Sequence, residues 1–489
     1  MMKKLSALSS ALLVSVTLYA QTSDVRWAIK SNGTINYIDR PKKADSFKQM
    51  FQDGKFYGRL RNNNFYFWYD ASDKTTHLIS GVGGSFVFKS AAYSGFDFTV
   101  GLYGSRAFFN ETNDPVNAIK SGKDTLSRFK YVNTGSKSMA TFAQANLRYT
   151  ISKTGITVGR QLVETFYTKS NDTKMIPNTF DGIVLASKDI AKTDIKLGYL
   201  AKEKLRDHED SHAVFMVGDA NSTSSLKPQW SEQDDSAMHR GLTYTALKKA
   251  GKPTDAPLIV ADVTNSSISD LKLHAAGYVV PELLSQAMVE ADYTLHLGDY
   301  SLIPAVRYIH QFDNGAGKVG GANYLTSDTS HYKNPDSLES DMIAARIRLI
   351  KGKYGLNLAY TQVLDKSDLV TPWRGFPTAG YTRSMGVYNW RANDKSYRLQ
   401  LTYGANASGI YTNGFWQTSV LYIKGDEKDL NFDRMVYYFG YIKNLKSYPE
   451  FQYRLRVAYK DYRQTVLLDN GKDQSLDFVD SRLEFNYIF

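Results

Sequence analysis

The sequence predicts an all-β fold, a transmembrane antiparallel β-barrel of about eighteen strands. Three observations predict it. Along Ser481–Phe489, Leu483, Phe485, Tyr487 and Phe489 share one side and Arg482, Glu484 and Asn486 the other, because successive strand side chains face opposite ways. Such alternating segments recur along the chain, joined by connections that are short and long by turns. The 489 residues also include 34 Tyr and 25 Phe but only 12 Pro, at a mean hydropathy of −0.39, as suits strands with one face to lipid and one to water.

At the N-terminus, Lys3 and Lys4 precede an apolar run from Leu5 to Leu18, and Tyr19-Ala20 offers a cut before Gln21. Residues 1–20 therefore read as a secretory signal peptide, although Leu18 is bulkier than the small residue usual at that place. Residues 21–489 read as one barrel domain, since no Pro/Ser/Gly tract separates soluble units. Within it, 21–54 is a polar segment carrying Asp39-Arg-Pro-Lys-Lys43, expected in the periplasm or partly tucked into the barrel. No run of apolar residues is long enough for a transmembrane helix.

In chain order, alternation marks strands at 55–69, 77–89, 95–109, 139–151, 155–161, 183–190, 193–203, 257–265 and 270–280. It continues at 285–297, 300–312, 340–351, 354–364, 396–404, 410–424, 432–443, 449–462 and 478–489. Short turns such as Ser152–Gly155, Gly298-Asp299 and Lys351–Lys353 are expected at the periplasmic end. Longer segments, 110–138, 162–182, 204–256, 313–339 and 365–395, are expected at the extracellular end.

One hairpin shows why the register is determined. Ile343, Ala345, Ile347 and Leu349 share a face opposite Arg346 and Arg348, and Leu356, Leu358 and Tyr360 continue the apolar face beyond the turn. Likewise Phe451, Tyr453, Leu455, Val457 and Tyr459 oppose Arg454, Arg456 and Lys460. An Arg on the lipid face near the midplane costs about 2–4 kcal/mol, so the arginines face inward. By the same parity Arg59, Arg61, Arg148, Arg307, Arg398 and Arg482 point into the barrel. A barrel this wide is not filled by its own side chains, so its interior is an aqueous passage unless loops plug it.

Gly159-Arg160-Gln161 followed by Lys174-Met-Ile-Pro-Asn-Thr-Phe180-Asp-Gly182, Pro372-Trp-Arg374-Gly-Phe-Pro-Thr-Ala-Gly-Tyr-Thr-Arg383, and Phe51-Gln-Asp-Gly54 carry a family likeness. With the final Phe489 they resemble the OprD-like family of substrate-specific outer-membrane porins, most closely its epsilonproteobacterial branch. Lys174 stands where that family often has Arg, and 204–256 has no counterpart. The resemblance implies an eighteen-stranded barrel, an inward-folded third loop (here 162–182) that narrows the pore, and a line of basic residues along one wall. It also implies passive uptake of small, commonly carboxylate-bearing solutes, and places Arg160, Arg374 and Arg383 in or beside inward loops.

Guanidinium stays charged and forks toward carboxylate, so a series of inward arginines can hand an anion along through weak sites. Equally, inward acids such as Glu484 can pair with these arginines and stiffen the wall. A net charge of +11 is spread one or two residues per strand, not gathered into the stripe that nucleic acid requires. With no Cys, disulfides and thiolate metal sites are excluded. His208-Glu-Asp-Ser-His212 matches H-E-x-x-H, but a charged extracellular loop yields that pattern easily and no third zinc ligand is evident. Gly81-Val-Gly-Gly84 lacks the Lys-Ser/Thr of a phosphate loop and reads as close strand packing. No Gly-x-Ser-x-Gly elbow supports an outer-membrane esterase.

The expected protein is thus a non-enzymatic porin of a Gram-negative outer membrane, without cofactor or metal. Its partners are small anionic solutes, outer-membrane lipid and lipopolysaccharide, and the barrel assembly machinery, for which a terminal Phe serves as signal. It works as a monomer or a homotrimer. The competing expectation is an adhesin or structural barrel acting through its long loops, with the pore shut.

Overall fold

The computed structural model describes residues 25–69, 76–109, 124–214, 242, 244–320, 332–404, 408–426, 433–462, 465–467, 473–475 and 477–489. The expected signal peptide and most of 215–243 lie outside these residues. Strands β1 (Lys55–Tyr69), β2 (His77–Lys89), β3 (Phe96–Phe109), β4 (Ser138–Ile151), β5 (Thr154–Gln161) and β6 (Thr179–Ser187) form the first third of the wall. They are followed by β7 (Thr193–Lys204), β8 (Leu258–Asn265), β9 (Leu271–Val280), β10 (Leu284–Tyr293, resuming as Leu295–Leu297), β11 (Tyr300–Asp313) and β12 (Ser340–Lys351). The rest are β13 (Tyr354–Val363), β14 (Lys395–Tyr403), β15 (Phe415–Lys424), β16 (Arg434–Asn444), β17 (Phe451–Asp461) and β18 (Phe478–Ile488). These eighteen strands pair antiparallel in sequence order, and β18 pairs with β1 to close the barrel. Closure leaves no edge strand, so every ladder hydrogen bond is made within the wall.

The alternation read from the sequence is the alternation of the wall. Ile343, Ile347 and Leu358 are exposed on the outer face, while Arg59, Arg61, Arg398 and Arg482 are buried on the inner one. Outer rings pair at both rims: Tyr354 with Tyr403 and Tyr360 with Tyr397, each at 5.0 Å, and Tyr437 with Tyr459 at 6.2 Å. Such aromatic girdles sit at the headgroup level, where an apolar ring with a polar tip is best placed.

The starts of two strands depart most from expectation. β6 begins at Thr179 and not at 183, because Thr179, Phe180 and Asp181 already pair with Lys204, Glu203 and Lys202 of β7. β15 begins at Phe415 instead of 410, because 408–411 turns toward the N-terminal segment. There Asn36 Nδ2 donates to the Ser408 carbonyl at 3.1 Å, and the Ser31 amide donates to the Tyr411 hydroxyl at 3.1 Å. Part of that segment is inside the barrel. Its hairpin, Trp27–Ile29 paired with Ile35–Tyr37, buries Trp27 and Ile29 among inward Tyr57, Val87, Tyr103, Met139 and Ile488.

Candidate functional site

Two loops enter the lumen. The first, 162–178, leaves β5 after Gln161 and packs Phe166, Tyr167, Met175 and Ile176 inside the barrel. Glycine at 81 makes room for it, since a Cβ there would lie 2.8 Å from Thr125 Cγ2 and 3.1 Å from Met175. The second, 364–394, buries Trp373, Tyr381 and Trp390. The loops are tied to each other: the Lys169 amide donates to the Trp373 carbonyl at 3.0 Å, and the Gly375 amide to the Tyr167 carbonyl at 3.1 Å.

Half of the wall arginines hold these loops. Arg59 and Arg61 donate to the two carboxylate oxygens of Asp172 at 2.8 and 2.7 Å, and Arg61 also binds Glu484 at 2.9 Å. Arg307 donates to the Pro377 and Ala379 carbonyls at 2.7 and 2.8 Å and pairs with Glu290. Arg346 donates to the Gly380 carbonyl at 3.0 Å and pairs with Asp292. Arg398 reaches the Tyr381 carbonyl at 3.4 Å and the Ser419 hydroxyl at 3.3 Å. Arg456 lies 3.6 Å from Glu484, and Arg482 pairs with Asp480 at 2.6 Å. The acids that the sequence reading passed over, Glu290, Asp292 and Asp480, lie on inward parity just as the arginines do, and that parity was the signal for them.

The remaining arginines divide. Arg148 is exposed on the inner face opposite Asp97; Arg348 and Arg454 are half-buried opposite Asn357 and Glu484. Arg383 folds back on its own loop, donating to the Ser384 and Val387 carbonyls with its guanidinium 4.3 Å over the Phe376 ring. Burial pushes its pKa down to about 10, which leaves it charged at neutral pH. Arg160 does not point inward. It shares the outward parity of Ile156 and Val158 and pairs with Asp181 at 2.7 Å, with Ser211 capping it at 2.6 Å. The resemblance put it in or beside an inward loop; it does stand just before 162–178, but it faces out of the wall, where Asp181 neutralises it.

Between the loops and β7–β11 lies a cavity of about 380 Å³ lined by Glu164, Thr165, Phe166, Lys169, Lys196, Asp262, His274, Arg307, Arg374, Phe376, Ala379 and Gly380. Its two carboxylates are committed to the fold. Glu164 accepts from the Ser170 amide at 2.7 Å, and Asp262 accepts from the Phe166 amide at 2.5 Å and from His274 Nε2 at 3.1 Å. Lys169 and Lys196 were not singled out by sequence reasoning, the first because it lies in a loop and the second because only arginines were followed. Lys174 stacks its ammonium 4.1 Å over the Phe65 ring.

The H-E-x-x-H stretch is not helical. His212 bridges back to Glu203, the two imidazoles sit 4.9 Å apart edge to face, and Glu209 binds Lys130 at 2.9 Å and the Ala140 amide at 2.8 Å. Among the described residues no group of three His, Cys, Asp or Glu is placed to hold a metal ion.

A closed barrel with lipid-facing girdles and a loop-narrowed, charged lumen defines an outer-membrane porin. The chain belongs to the OprD family of outer membrane porins, whose model matches residues 120–457. Membership and fold place it in a Gram-negative outer membrane. OccK8 (OprE) of Pseudomonas aeruginosa superposes with a TM-score of 0.64 at 14% identity, over 90% of this chain and 99% of that one. OccAB1 of Acinetobacter baumannii gives 0.65 at 15% identity, over 90% and 98%. OpdK of P. aeruginosa, in a structure with vanillate, gives 0.61 at 12% identity, over 89% and 98%. No curated protein matches the sequence.

Proposed function

We propose that this porin is a passive channel selective for small anionic, carboxylate-bearing solutes. The constriction cavity carries the reading: Lys169, Lys196, Arg307 and Arg374 face two acids that are already hydrogen-bonded within the fold. A solute carboxylate therefore meets four cationic side chains against two lining acids, while the Phe166 and Phe376 rings offer apolar contact to the rest of it. Of the arginines read as a wall, Arg148, Arg348 and Arg454 guide the solute together with Arg374 of the second loop. Arg59, Arg61, Arg307, Arg346 and Arg398 set the width of its path by holding the loops, while Arg456 and Arg482 pair with acids of the wall. Reversal potential in a planar bilayer across a potassium chloride gradient tests this reading. A chloride-preferring value, shifted further when chloride is replaced by a larger carboxylate, supports it, and cation preference rejects it. Absence of any conductance would instead favour the closed-barrel reading.

A homotrimer is favoured by one feature of the outer face. Asn62 and Asn64 lie outward between Leu60 and Tyr66, with Asn62 Nδ2 donating to Ser80 Oγ at 3.0 Å and Asn64 Nδ2 to Asn62 Oδ1 at 2.7 Å. Amides exposed to hydrocarbon are costly, and in membranes polar side chains gather where protein covers protein.

A further inference from the structure

We propose that residues 25–46 form a second pore-narrowing element, which props the constriction loop and confines the periplasmic half of the passage; it rests on the channel reading above. The hairpin is fastened to three separate parts of the lumen. Trp27 Nε1 donates to the Phe489 carbonyl at 3.2 Å and Gln452 Nε2 to the Ile29 carbonyl at 3.2 Å, holding one strand to β17 and β18. Tyr57 donates to the Asp39 carbonyl at 2.6 Å, and Lys55 pairs with the Asp39 carboxylate, holding the other end to β1. Ser31 and Asn36 bind the 408–411 turn.

The tip touches the constriction loop. Gly33 has φ +83, and a Cβ on it would stand 2.6 Å from the Asp172 carbonyl oxygen, so only glycine permits both the turn and the contact. Asp172 is the residue that Arg59 and Arg61 grip from the other side. The constriction loop is thus clamped between the wall and the hairpin. Beneath Met175 and Ile176, the space along β1–β4 is occupied by Trp27, Ile29, Ile35 and Tyr37. Solute leaving the cavity beside Lys196 and His274 is directed along the remaining lumen, where the turn presents exposed Lys30 and β4 presents exposed Arg148. The hairpin extends the cationic path past the first constriction.

The chain has no cysteine, so a single introduced thiol reports alone. In Lys30→Cys, modification by a negatively charged methanethiosulfonate reagent is expected to lower single-channel current by at least a third, and a positively charged reagent to leave more of it. Deleting 26–38 is expected to raise conductance roughly two-fold in a barrel that still shows the parent's heat-modifiable mobility. Lys30→Glu, at an exposed turn outside every strand, covers the event that the deletion fails to fold; it is expected to lower the anion-to-cation permeability ratio. If Lys30→Cys current ignores both reagents and Lys30→Glu keeps the parent ratio, the second element is refuted. A parent protein that does not conduct refutes the channel reading instead.

Discussion

Arg61 Nη1 donates to Asp172 Oδ1 at 2.7 Å across the lumen, joining the first barrel strand to the tip of a loop 111 residues away. Both side chains are almost wholly buried, and Arg59 shares the same carboxylate. Removing one partner from such a buried pair costs about 3–5 kcal/mol, because the other charge is left without compensation. Asp172→Ala is therefore expected to release the constriction loop while leaving the wall closed. Single-channel recording should show larger, noisier openings, with Asp172→Asn between parent and Ala. Unchanged conductance in Asp172→Ala would mean that packing of Met175 and Ile176 alone holds the loop.

The second loop has an equivalent tie. Arg346 holds the Gly380 carbonyl and neutralises Asp292, while Arg307 holds Pro377 and Ala379 and neutralises Glu290. Arg346→Met removes a loop anchor and frees an inward carboxylate together. Conductance should rise and the reversal potential should move toward cations. A rise without the shift would separate the mechanical contribution from the electrostatic one.

Lys169 lines the cavity with its side chain 40% exposed and only a loose 3.8 Å contact to Glu164, so changing its charge disturbs little else. Lys169→Glu should lower the anion-to-cation permeability ratio several-fold at low salt and much less at 1 M salt, where charges are screened beyond about 3 Å. A salt-independent effect would point to altered shape rather than altered charge.

Asn62→Leu/Asn64→Leu turns the polar patch of the outer face into ordinary lipid-facing surface. If that patch covers a neighbouring copy, the mass of the detergent-solubilised particle should fall to that of one chain. A parent already of single-chain mass would sink the association.

Acid should loosen the N-terminal hairpin. The Lys55 hydrogen bond, then the nearby Lys55 and Arg26 charges, hold the Asp39 carboxyl below the usual carboxylate range. A depressed folded-state value means stabilisation that is present above the unfolded value of about 3.9 and lost as pH falls through the lower folded one. Channel noise should hence be flat from neutral pH to about 5 and grow only below about 4, whereas Asp39→Asn should be noisy at neutral pH.

The eighteen strands were legible because lipid enforces a period of two on every one of them, as with Ile343, Ile347 and Leu358 outside and Arg346 and Arg348 inside. The inward arginines of the strands were legible for the same reason. Arg160 came from the resemblance and not from parity, and its parity is that of outward Ile156 and Val158. The destination of residues 25–46 was not legible, since a short polar segment with a few buried aromatics suits the periplasm and the lumen alike.

By itself the sequence determined the wall: its closure, its strand number and which side chains meet lipid, since the solvent on each side acts on one residue at a time. Which arginines hold Asp172, Pro377 or Gly380 was decided only by the tertiary structure. Those pairings join residues 34 to 113 positions apart through loops that no local period governs, and a guanidinium takes whichever carboxylate or carbonyl the folded loops bring within about 3 Å.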